Sequence, residues 1–192
     1  DGIGPDAVQP DNTLGLEKAR AATLFMLGLP GASYLYQGEE LGLPEHTKIS
    51  PEHRQDPTYA RTNGQRVGRD GARVPLPWMK GGATNGFTSA NFAWLPQPAN
   101  FADLSRDQQT SVDSTLEMYK KSLKLRSKLG LGEGSFSWTS TGAVLSYQNK
   151  NVIVAHNFGE AAAELPEGQL LITSALLNSG KLPANVTAWV RV

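Results

Sequence analysis

The sequence predicts an α/β segment that gives way near Gly130 to an antiparallel all-β domain. Three observations predict it. Apolar and small residues recur at helical spacing after Asn12 and run into a short apolar stretch, residues 32–36, that ends in Gln37, Glu39 and Glu40. A second helical pattern occupies residues 114–129. Beyond Gly130 the texture changes to short β-prone runs separated by Gly, Asn, Glu and Pro.

The elements follow in order. Residues 1–11 hold two glycines, two prolines and acids with no apolar period, and read as loop. Asn12 or Thr13 can cap the helix that follows, in which Leu16, Ala19, Thr23, Met26 and Leu27 form the apolar period. Its small residues Ala19, Ala21 and Ala22 suit close packing on a sheet. Pro30 cannot continue this helix and Gly31 permits the turn. Residues 32–36 then read as a buried strand of a parallel sheet, whose polar C-terminal end is where ligands bind in such architectures. Residues 44–113 are rich in Pro, Gly, Asn and polar side chains, with His46, His53, Trp78 and Trp94 scattered among them. A connection this long is commonly functional, and only local helix near residues 52–56 and 101–108 is expected in it. Ser114-Thr115-Leu116-Glu117 fits a capping box, Glu117 and Lys121 lie one turn apart, and Gly130 suits the position just past the helix end. Leu116, Tyr119, Leu123 and Leu129 mark its expected apolar stripe. Strands are predicted over 135–140, 143–148, 152–157, 169–174 and 186–192, forming a small β-sandwich.

Two stretches carry a family resemblance. The first is Leu29-Pro30-Gly31-Ala32-Ser33-Tyr34-Leu35-Tyr36-Gln37-Gly38-Glu39-Glu40-Leu41-Gly42. It resembles the eighth strand and following loop of the α-amylase superfamily of (β/α)8-barrel glycoside hydrolases, and in detail its exo-acting α-glucosidases. The second is Gly68-Arg69-Asp70-Gly71-Ala72-Arg73-Val74-Pro75-Leu76-Pro77-Trp78 with Asn85-Gly86-Phe87, about thirty residues further on. It is similar to the segment that α-glucosidases, oligo-1,6-glucosidases, trehalose synthases and related transglucosidases carry after that strand. The commoner form reads RTPMQW where this chain reads RVPLPW, so Val74 and Pro77 replace polar groups while the arginine and tryptophan stand.

The resemblance implies the C-terminal end of a (β/α)8 (TIM) barrel followed by a β-domain. Residues 1–130 would be the last helix-strand-helix part of the barrel, with an active-site loop over 44–113, and residues 131–192 the antiparallel β-domain. A complete barrel needs roughly 250 residues, so 192 residues are expected to be a C-terminal portion of a longer enzyme. The implied partners are the remainder of the barrel and an α-glucoside oligosaccharide.

Composition excludes other classes. Lys+Arg and Asp+Glu balance at 18 each, so no basic footprint recruits nucleic acid or an anionic membrane. The first dozen residues lack the charged and apolar regions of a signal peptide, and no apolar run reaches the roughly 20 residues of a membrane span. Cysteine is absent, which removes disulfides and thiolate chemistry and fits a cytoplasmic home.

Retaining glycoside hydrolysis needs two carboxyl groups roughly 5–5.5 Å apart. Adjacent Glu39 and Glu40 would point to opposite faces of an extended chain and cannot serve as that pair. By resemblance the nucleophile, the acid/base and a third carboxylate in an N-H-D motif lie on earlier strands, and this sequence has no N-H-D. No catalytic residue is therefore expected in the chain. Gln37, Glu39, Glu40 and Asp70 are expected one step removed from substrate, orienting basic partners. Arg73, with Arg69 beside it, would hold the terminal glucose by the resemblance, since a guanidinium presents forked donors to vicinal hydroxyls. The competing reading is a structural Arg-Asp clamp. Trp78 can stack on a sugar or anchor the loop, and Phe87 is read as an anchor. His46 and His53 lack further ligands at metal spacing, His156 is read as packed in a strand, and the Asn185-Val186-Thr187 sequon as idle. No metal or other cofactor is expected.

Overall fold

A computed structural model of the chain describes residues 6–192. The expected loop over residues 1–11 lies partly outside them, and the described part, from Asp6, holds no helix or strand. Two compact units are present: Asp1–Asn12 with Gln37–Thr110, and Thr13–Tyr36 with Ser111–Val192. This grouping cuts the chain differently from a division at Gly130.

In the second unit, β1 (Ser137–Thr141), β2 (Val144–Asn149), β3 (Val152–Asn157), β4 (Gln169–Thr173) and β5 (Thr187–Arg191) lie close to the predicted runs. They form one antiparallel sheet in the order β1-β2-β3-β5-β4. Alternation assigns the faces. Tyr147 pairs with Val154 and Val154 with Trp189, so all three share a face. Helix α1 (Asn12–Leu27) packs there, its Leu24 and Leu27 joining Tyr147, Val152, Val154 and Trp189 in one core with Met118 and Tyr119. Ala155, Ala188 and Val144 face the other way, beneath Leu182 and Val186. The expected sandwich is thus corrected: among the described residues there is a single sheet, and helix covers one of its faces. The sheet accepts α1 because its side chains meet the helix's carbonyls as well as its leucines. Trp189 Nε1 donates to Leu24 O at 2.9 Å, Thr187 Oγ1 to Ala21 O at 2.8 Å and Asn149 Nδ2 to Gly28 O at 2.8 Å. Of the three alanines expected to seat α1, Ala21 is buried, while Ala19 and Ala22 are exposed.

The buried strand expected over residues 32–36 is also corrected. The stretch is irregular, and Tyr34 is 88% exposed with Leu35 and Tyr36 exposed beside it. A lone extended segment has no ladder to join: every pairing in the described sheet is antiparallel and confined to β1–β5.

A further helix, α3 (Thr115–Lys128), starts where predicted, with Ser114 Oγ accepting from Glu117 N at 3.3 Å. Gly130 follows its end in the left-handed region at φ 61°. Its buried face is Thr115, Met118, Tyr119 and Ser122, so the expected stripe is rotated and Leu123 is exposed. Glu117 pairs with Lys120 at 2.6 Å in place of Lys121.

The first unit has its own small core of Ile49, Val74, Leu95 and Phe101, with Leu43 against it. The long connection is therefore a packed body. Short 3-10 turns at Pro51–His53, Ala99–Ala102 and Arg106–Gln108 and the one-turn helix α2 (Pro57–Arg61) supply the local helix expected there. Among the described residues no helix is long and apolar enough to cross a membrane.

Candidate functional site

The first unit concentrates charge around two buried carboxylates. Asp56 precedes Pro57 and caps α2, accepting from Thr58 N at 2.9 Å; an Asp cap followed by Pro at the first helical position is a favourable start signal. Asp70 is fully buried and accepts from Gln55 N at 2.9 Å and from Asp56 N at 2.9 and 3.0 Å. One carboxylate thus fixes the backbone that places the other.

Asp56 gathers both arginines. Its Oδ2 accepts from Arg69 N at 3.1 Å, and Arg69 Nε and the Arg73 guanidinium each lie 3.5 Å from that oxygen. Its pKa is held well below the usual carboxylate range, first by the Thr58 N–H and then by the Thr58 side chain, with the Arg69 N–H and charge adding and burial opposing. Gly68 makes the approach possible: its φ is +72°, and a Cβ there would lie 2.7 Å from Asp56 Cβ and Cγ.

The two arginines differ in setting. Arg69 is 72% exposed and Arg73 33% exposed. Because the short bonds to Asp56 come from backbone N–H groups, the Arg73 side chain is held by charge at the edge of hydrogen-bond range; its backbone N–H donates to Asp70 O at 2.9 Å, while the rest of its guanidinium bonds no described residue. The cluster can orient a forked cation; it contains no pair of free carboxylates able to act as nucleophile and acid.

The remaining candidates sit as follows. Trp78 is half exposed, with its backbone N–H donating to Asn85 O at 2.7 Å. Phe87 is also about half exposed and is not seated in a core. Glu40 Oε2 accepts from Gly38 N at 2.8 Å, closing the turn that begins Glu39–Leu41, while Gln37 and Glu39 are exposed. His46 donates its backbone N–H to Gly71 O at 3.1 Å, and burial followed by the Arg54 charge lowers its pKa. His53 Nδ1 lies 2.9 Å from Ser50 Oγ. Among the described residues no three His, Cys, Asp or Glu side chains are grouped to hold a metal. Asp56 is the site residue that the motifs missed; the Asp-Pro helix start was the available signal.

The site brings a buried acidic anchor and two arginines onto one loop, a set suited to recognising polyhydroxylated ligands. Comparison with known proteins gives the class its name. The family described as "Alpha amylase, catalytic domain" matches residues 7–132, and the chain belongs to it. A probable α-glucosidase of Rhizobium meliloti (strain 1021) is 30% identical over 182 residues, which cover 86% of this chain and 32% of that protein. The amino acid transporter heavy chain SLC3A1 of Rattus norvegicus is 28% identical over 177 residues, covering 84% of this chain and 23% of that one. The crystal structure of the α-glucosyl transfer enzyme XgtA superposes with a TM-score of 0.70 at 30% identity, over 91% of this chain and 36% of that one. This chain spans 20% to 32% of the lengths of the first three curated relatives it matches.

Proposed function

We propose that this chain is the C-terminal part of a retaining, exo-acting α-glucosidase. The enzyme removes terminal α-linked glucose from maltose- and isomaltose-type oligosaccharides, and this part supplies the end of the barrel, a sugar-binding loop and the β-domain. The carrying observation is the Asp56 anchor. It holds Arg73 by charge at 3.5 Å and leaves the rest of the guanidinium fork for vicinal hydroxyls of the terminal glucose. Arg69 lies beside it, and Trp78 offers an apolar ring to the sugar face. The two carboxylates of the displacement, which need to flank the scissile bond, are assigned to earlier strands of the same enzyme. A transglucosylase reading, in which an acceptor sugar replaces water, is favoured by the likeness to XgtA. A non-catalytic reading is favoured by the likeness to the transporter heavy chain.

Activity against p-nitrophenyl α-glucoside tests the division of labour. The complete enzyme is expected to turn it over, and a mass-verified preparation of these 192 residues is expected not to. Turnover by the isolated chain would contradict the assignment of the carboxylates. No turnover by the complete protein would favour the non-catalytic reading.

A further inference from the structure

The exposed indole of Trp78 is set by a latch of two side-chain amides, and we propose that Gln97 is the positioning residue of that latch. This deepens the sugar-binding reading of the loop and rests on it.

The latch starts at Asn85. Its carbonyl accepts from both Trp78 N, at 2.7 Å, and Met79 N, at 3.0 Å, so one peptide oxygen fixes the backbone on which the indole stands. To offer that oxygen, Asn85 adopts φ 44°, in the left-handed region that Asn tolerates better than most residues. Its side chain is used at both ends. Oδ1 accepts from Gly81 N at 3.3 Å, and Nδ2 donates to Gln97 Oε1 at 3.0 Å. Gln97 Nε2 in turn donates to Pro75 O at 2.9 Å.

The bonds close a ring. They run from Pro75 through Gln97 and Asn85 to Trp78, tying together the two ends of the segment that carries the indole away from Arg73. The amide at position 97 serves both neighbours at once, since one needs an acceptor and the other a donor. A flipped Gln97 would set oxygen against the Pro75 carbonyl and N–H against the Asn85 amide. Arg106 N and Asp107 N hold Pro77 O and Trp78 O at 3.0 and 3.1 Å, so the strip stays in place without Gln97. What Gln97 adds is the register of the 78–85 turn, and hence where the exposed Trp78 ring points.

The test uses the complete enzyme labelled with 5-fluorotryptophan, the Trp78 resonance being assigned from Trp78→Phe. Gln97→Met, similar in size but without the two bonds, is expected to shift or broaden the Trp78 resonance and leave that of Trp189, buried in the other unit's core, unmoved. It is also expected to raise KM for maltose roughly tenfold with little change in kcat, the pattern of lost uniform binding, and to add nothing to KM in a Trp78→Ala background. An unmoved Trp78 resonance, or full additivity with Trp78→Ala, overturns the proposal. If Trp78→Ala itself leaves KM unchanged, the sugar-binding role of the indole falls. The latch is then decided by the resonance alone: moved supports it, unmoved overturns it.

Discussion

Asp70 is the side chain on which the arginine cluster depends, because it satisfies the backbone N–H groups of Gln55 and Asp56 from a fully buried position. Asp70→Ala strands a buried donor and is expected to lower unfolding stability by about 1–3 kcal/mol, read as a drop in the urea midpoint. Two titrations contribute to the acid limb of stability with the same sign. Asp56 is held below the ordinary carboxylate range, so its contribution is present above about pH 4 and lost as pH falls toward its folded value. His156 is buried, and desolvation lowers its pKa, so the folded state resists the proton that the unfolded chain accepts below about pH 6.5. Its Nδ1 lies 2.9 Å from Thr187 Oγ1, whose own proton goes to Ala21 O, which assigns Nδ1 as the donor. His156→Asn keeps a donor without the titration. Its urea midpoint is expected to fall less than the wild type's between pH 7 and pH 5; parallel profiles would contradict the assignment. At this scale Arg69, Asp70 and Arg73 were legible from sequence because a motif spaces them. Asp56 was not, because the arginines it gathers are thirteen and seventeen residues away and a capping aspartate looks ordinary in isolation.

The end of α1 is the element most fully explained by its contacts. The last four carbonyls of a helix lack intrahelical partners. Here Leu24 O meets Trp189 Nε1, Phe25 O meets the Tyr147 hydroxyl, Met26 O meets Leu29 N and Leu27 O meets Arg126. Arg126 also donates to Leu29 O and Gly31 O, placing a cation at the negative helix end. Arg126→Met is expected to cost about 1.5–3 kcal/mol, measured as a lowered thermal midpoint; an unchanged midpoint would show that water replaces the guanidinium. The five strands were readable because alternation and turn residues are local signals. The phase of α3 was not: Leu123 reads as core by type, yet the helix turns Met118 and Ser122 inward, a choice made by packing partners distant in sequence. Residues 32–36 were misread for a similar reason, since an apolar run becomes a buried strand only where neighbouring strands complete its hydrogen bonds.

At the scale of the whole molecule, each unit has its own core, and the helix flanking the sheet comes from more than a hundred residues upstream of it. A sequence reading that changes texture at Gly130 does not see that association, which is why a sandwich was expected where one sheet is capped by α1. The membership in the α-amylase family was legible because two loop motifs carry it, and loops hold the chemistry on this kind of scaffold. In the function proposed above, Arg73 serves substrate and not the fold. Arg73→Ala in the complete enzyme, with steady-state kinetics and thermal midpoint measured on one preparation, tests it most directly. Loss of a charge-assisted bond to sugar predicts a raised KM and a kcat/KM for maltose lowered about tenfold to a hundredfold, with the midpoint held. A lowered midpoint with kcat/KM unchanged would make Arg73 a clamp on Asp56 and contradict the claim.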